Sequence, residues 1–187
     1  MAIVRAASSS SNRCDNGEPQ ETGKQVRVIQ EELLVGTAVN SWKLVVSRLD
    51  QTVASFDDQD LQLHIASGRN RVFYLVGHLT AVHDRMFPML GLGERMHPEL
   101  DQVFLDKPDH GGADAISPAD LRKAFSEVNT KLSLAFEAVQ AKDWLQKHNA
   151  VSDEDFAKEP LRNRLAVLMN RTNHASFHLG QMILAKR

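Results

Sequence analysis

Three features of the sequence predict an all-α fold, a four-helix bundle: long proline-free stretches, apolar residues at helical spacing within them, and no convincing apolar–polar alternation. Proline is absent between Pro19 and Pro88, between Pro118 and Pro160, and after Pro160. Since an interior proline costs a helix about 3 kcal/mol, these stretches are natural helix territory.

The first helix is expected over about 25–54, where Val28, Leu34, Val35, Val39, Trp42, Val46, Leu49 and Val53 follow helical spacing. A second, over about 69–90, rests on Val72, Leu75, Val76, Leu79, Val82 and Met86. Pro88, Pro98, Pro108 and Pro118 then recur with Gly91, Gly93, Gly111 and Gly112, so 88–118 reads as a long irregular connection. It is long enough to carry the chain back along the bundle, giving an up-down-down-up order with a crossover between helices two and three. The third helix, about 118–143, has the stripe Leu121, Phe125, Val128, Leu132, Phe136 and Val139. Ser117 supplies its N-cap, Pro118 its first position, and Asp120 a favourable charge in its first turn. A short helical turn fits 152–157. The fourth helix runs from about 161, after Pro160, to the end, on Leu161, Leu165, Leu168, Thr172, Ala175, Leu179, Met182 and Ile183. Residues 1–24, with the low-complexity run Ala7–Asn12, read as a flexible tail, and 25–187 as the bundle domain.

Composition narrows the function. With 22 Lys and Arg against 24 Asp and Glu, the formal charge is −2. That balance argues against a nucleic-acid partner and against binding to an anionic membrane. The apolar runs are too short for a transmembrane helix. The single cysteine, Cys14, excludes an intramolecular disulfide and a zinc ribbon, and fits a cytoplasmic location. Eight histidines stand against it, so a bound metal would be held by histidine.

Asn173-His174-Ala175-Ser176-Phe177-His178-Leu179-Gly180-Gln181 is the strongest local signal. His174 and His178 are i and i+4, about 40° apart on one helical face, close enough to share a cation. Ala175 stands where an HExxH motif has its glutamate, so a metalloprotease base is absent. A third ligand must come from another helix. His78 and His83 are the candidates, but about 140° separates them, so they do not serve one ion easily. His78 lies about 90° from its helix's apolar centre, much as His178 lies about 95° from its own. His83 falls inside the apolar arc and reads as a core histidine, so the pattern favours His78. His64, His97, His110 and His148 fall in expected loops or helix ends and read as solvated.

Leu75-Val76-Gly77-His78-Leu79 and the terminal H-x-x-x-H-x-G-Q resemble the DinB/YfiT-like superfamily, four-helix bundles with one histidine on the second helix and H-x-x-x-H on the last. The resemblance spans about 25–187. Where the family often carries a tryptophan before the helix-two histidine, this chain has Asn70-Arg71-Val72-Phe73. The resemblance places the metal ligands on His78, His174 and His178. It implies a metal-dependent transfer of a low-molecular-weight thiol, which is supplied in trans without Cys14, and a homodimer.

Three neutral imidazoles would leave a divalent ion with an open position and a net +2 charge, without a strong preference among Zn²⁺, Ni²⁺ and Fe²⁺. A metal-dependent hydrolase and a non-catalytic homodimeric bundle are the alternatives. Gln181 and Asn170 are candidates to orient the ligands, and Gly180 to permit close packing. Arg71 and Arg85 flank His78 and could meet an anionic substrate, although snorkelling at the bundle edge is the plainer reading. Asp84 is expected to point away from His78, and Glu127 or Asn129 are only guesses for an acid or base.

Overall fold

The structure is a computed structural model and describes residues 18–110 and 115–186, with side chains from Gly23 onward. Cys14 and residues 1–17 lie outside the described part. In chain order the helices are α1 (Glu18–Ser55), α2 (Val72–Asp84), α3 (Met86–Leu90), α4 (Leu100–Phe104), α5 (Pro118–Ala138), α6 (Ala141–Trp144), α7 (Asp153–Lys158) and α8 (Arg164–Ala185). A 3-10 turn, Asp60–Gln62, precedes α2, and there is no strand among the described residues.

The four long helices carry the core. α1 packs on α5 and α8, and α2 packs on the same two. One end of the core gathers Trp42, Phe87, Phe136, Trp144 and Leu168; the other gathers Leu49, Phe73, Phe104, Phe125 and Met182. Polar ties mark which ends meet. Arg122, early in α5, reaches Asp58 and the Phe56 carbonyl just past α1, while Lys43 of α1 pairs with Glu137 at the end of α5. Lys186, just past α8, bonds Asp60 and the Ser55 carbonyl.

Several boundaries differ from expectation, each for a local reason. α1 starts at Glu18, ahead of residue 25. The early part of its stripe finds nothing to pack on: Val28 and Leu34 are exposed, and burial begins at Val35. The second expected helix starts late, because Arg71 is an extended N-cap whose N–H donates to Asp109, and it breaks at Arg85 into α2 and α3. The third ends at Ala138, where Val139 turns extended. The fourth begins at Arg164, capped by Asn163, whose side chain accepts from Ala166 N at 2.9 Å. Leu161, expected in its stripe, is instead exposed outside the helix. Ser117 and Ser152 cap α5 and α7 in the same manner, accepting from the N–H three residues on.

The crossover holds more order than its prolines and glycines suggest. Its short helix α4 packs on α2. Beyond α4, Asp109 takes hydrogen bonds from the Arg71 backbone and guanidinium, at 2.6–3.1 Å, at the head of α2. At the foot of α2, the fully buried Asp84 accepts from Met96 N, His97 N and Arg95 Nε. The crossover is therefore pinned at both ends of the helix that carries His78.

Candidate metal centre

α2 is buried throughout except at His78, which is half-buried. The residue before it is a glycine for a steric reason: a Cβ on Gly77 would collide with the Phe104 ring. That close approach lets the Phe104 carbonyl lie 3.3 Å from His78 Nδ1. On α8, His174 and His178 sit one turn apart and face α2. His174 Nε2 lies 3.2 Å from His78 Nε2 and 3.0 Å from His178 Nε2. The three donor atoms form the one cluster of His, Cys, Asp or Glu with metal-holding geometry among the described residues.

The electrostatics favour neutral rings. Burial pushes the pKa of His78 and of His178 below the ordinary histidine value. His174 is pushed down to about 4, first by burial and then by its two histidine neighbours. All three are therefore uncharged near pH 7 and have a lone pair to offer. Two of the tautomers are set from behind. His78 donates its Nδ1–H to the Phe104 carbonyl, and His178 donates its Nδ1–H to Gln181 Oε1 at 2.8 Å, which leaves both Nε2 lone pairs facing inward. His174 Nδ1 is buried without a hydrogen-bond partner. His174 Nε2 faces the Nε2 atoms of both His78 and His178, so a cation between the rings would meet three ring nitrogens. Two nitrogens about 2.0–2.1 Å from a tetrahedral ion would be about 3.3–3.4 Å apart. The observed spacings of 3.0 and 3.2 Å are close to that, so the residues fit a divalent ion.

The other expected residues divide clearly. Gln181 does orient His178. Asn170 is exposed and makes no hydrogen bond to His174 among the described residues. Nothing lies within contact of Gly180, so the close packing expected there occurs at Gly77 instead. His83 is fully buried, bonds Asn129 Oδ1 at 2.7 Å and abuts Trp42, so it is a core histidine. Of the four histidines expected to be solvated, His64 and His110 are exposed, but His97 and His148 are half-buried, and His97 Nε2 is buried 4.0 Å from Glu127.

Of the arginines flanking His78, Arg71 is no surface snorkel, whereas Arg85 is exposed at the bundle edge. Arg71 is buried against Asp109, and Arg85 is held by Asp101 at 2.8 Å. Two contributors were missed in the sequence. The Phe104 carbonyl is main chain and leaves no residue signature. Arg171 stands three residues before His174, a spacing that could have drawn attention to it.

The model of one protein family, the DinB superfamily, matches residues 42–182, a span that includes all three histidines. No curated protein matches the sequence.

Proposed function

The chain belongs to the DinB superfamily, and from that premise we propose that His78, His174 and His178 hold a divalent metal ion in a centre for low-molecular-weight thiol transfer. The convergence of three Nε2 atoms from two helices carries this reading. Imidazole suits Zn²⁺, Ni²⁺ and Fe²⁺ alike. When bound, the ion would supply positive charge that keeps a small-molecule thiol as its thiolate near neutral pH.

The protein's own contribution is to keep the three rings neutral, aimed and partly shielded from water. Among the described residues, no carboxylate joins the three histidines. Asp84 is spent on the crossover, and Asn129 on His83. That favours a nucleophile that needs little help to ionise: a thiol, with a pKa of about 8.5, over water. The thiol proton would pass to solvent, and the new sulfur–carbon bond would replace the bond to the electrophile's leaving group. A metal-dependent hydrolase would need a base that this arrangement does not offer.

The same reading takes the bundle as up-down-down-up. The ties of Arg122 to Asp58, of Lys43 to Glu137 and of Lys186 to Ser55 support it, since they set α1 antiparallel to α5 and parallel to α8. A homodimer belongs to the proposal as well, supported by exposed apolar side chains such as Leu33, Leu44 and Met169. Among the described residues, no helix is long and apolar enough to cross a membrane. A cytoplasmic location, with a small-molecule substrate and no nucleic-acid partner, completes the proposal.

Metal content measured by mass spectrometry tests the centre. About one ion per chain is expected in the unaltered protein and in His83→Gln, with loss in His78→Ala and His178→Ala. Retention of metal in either of those two variants would overturn the ligand assignment. Conjugation of small thiols to a panel of electrophiles then tests the reaction.

A further inference from the structure

Most arginines around the crossover have an acidic partner, and of the two without one among the described residues Arg164 packs against Gly91 and Arg171 lies beside the histidines. Arg71 is bound by Asp109, Arg85 by Asp101, Arg95 by Asp84 and Asp101, and Arg162 lies 3.6 Å from Asp155. Arg171 is half-buried on α8 and has no hydrogen bond or ion pair among the described residues. It stands three residues before His174, so it lies on a neighbouring part of the same helix face, roughly 4.5 Å along the axis. Its charge bears on His78, His83 and His174. Burial, and then the charge of Arg85, pull its pKa down, and no carboxylate opposes them. Arg171 also lines a cleft of about 250 Å³ with Met89, His148, Arg162, Asn163 and Asn170, and among the described residues no acidic one lines that cleft.

A guanidinium stays charged at any ordinary pH, so a half-buried one without a counter-ion carries a desolvation cost that an arriving anion would offset. We infer that Arg171 binds a carboxylate on the small molecule that reacts at the three histidines, and so sets the substrate class as small organic acids. The inference rests on the proposed centre for where the reaction occurs, but not for the anion site itself. The guanidinium fork matches a carboxylate with two parallel hydrogen bonds. One unpaired positive charge suits a monoanion. A phosphate dianion would call for a second free cation, and the cleft's other arginine, Arg162, already faces Asp155. The cleft is small, which suits a ligand group of a few heavy atoms.

The test has two arms, both on the full chain. In metal-free protein, propionate and propionamide are titrated while the arginine Nε–Hε resonances are followed by NMR. Propionate should shift the Arg171 resonance saturably, and propionamide should not. In zinc-loaded protein, calorimetry compares 3-mercaptopropionate with its methyl ester. The acid should bind about tenfold tighter or better. That preference should fall to near unity in Arg171→Gln and survive in reduced form in Arg171→Lys.

Equal binding of propionate and propionamide by the unaltered protein overturns the inference, whether or not the variants fold. So does a carboxylate preference that persists in Arg171→Gln. Failure of zinc to bind would instead count against the histidine centre, and the metal-free arm would still decide the role of Arg171.

Discussion

His78 and His83 lie five residues apart on one helix and have opposite surroundings. His78 keeps an open ring nitrogen beside two other histidines. His83 is sealed between Asn129 and Trp42, and burial pushes its pKa down to about 3, with the Asn129 hydrogen bond opposing the shift. A histidine depressed in the folded state makes stability fall with pH. Between its unfolded pKa of about 6.5 and its folded value, the unfolded chain takes up a proton that the folded chain refuses. From pH 7 to pH 5, this one residue should remove about 2 kcal/mol of stability. Urea unfolding at the two pH values should show that loss in the unaltered protein and a loss smaller by about that amount in His83→Gln. An equal loss in both would show that His83 does not carry the linkage.

At the scale of elements, the crossover acts as the positioning device for α2, and Gly77 is its contact point. Phe104 of α4 packs where a Cβ would be, and the Phe104 carbonyl faces His78. Gly77→Ala should therefore force the ring and its backbone outward, at a cost of about 1–3 kcal/mol. Gly180, on α8 with open space around it, makes a contrasting site: Gly180→Ala should be stabilising by about 0.5–1 kcal/mol through helix propensity alone. Chemical denaturation of the two variants reads both signs, and the pair fails together if Gly77→Ala proves neutral. Helices like α5 were legible in the sequence because cap, proline and apolar stripe are local features that agree. The breaks at Arg71 and Arg85 were not, because they depend on partners far along the chain. Asp109 is 38 residues from Arg71, and Asp101 is 16 from Arg85. Nor could spacing show that the first turns of α1 extend past the rest of the core, since periodicity says which face is apolar and not whether anything covers it.

At the scale of the whole molecule, the histidine cluster joins residues 96 apart, and its two halves were legible to different degrees. His174 and His178 announced themselves by spacing, whereas the choice between His78 and His83 rested on angular position and a family resemblance. The arginines went the other way. Arg71 and Arg85 drew attention beside His78, yet charge pairing across the crossover neutralises both, and Arg171, without an acidic partner among the described residues, bears on the histidines instead. Because α2 and α8 each supply part of the cluster, an ion bound there would bind the folded chain and not the unfolded one. Such a ligand at a hundred times its dissociation constant adds about 2.7 kcal/mol of stability. For a chain of this length, each kcal/mol raises Tm by about 2–4 °C, so saturating Zn²⁺ should raise Tm by about 5–10 °C. A chelator should reverse the rise, and His78→Ala should abolish it, since two ligands one turn apart on α8 cannot tie that helix to α2. An unchanged Tm in the unaltered protein, or the same rise in His78→Ala, would mean that the cluster does not join the two helices through a shared ion.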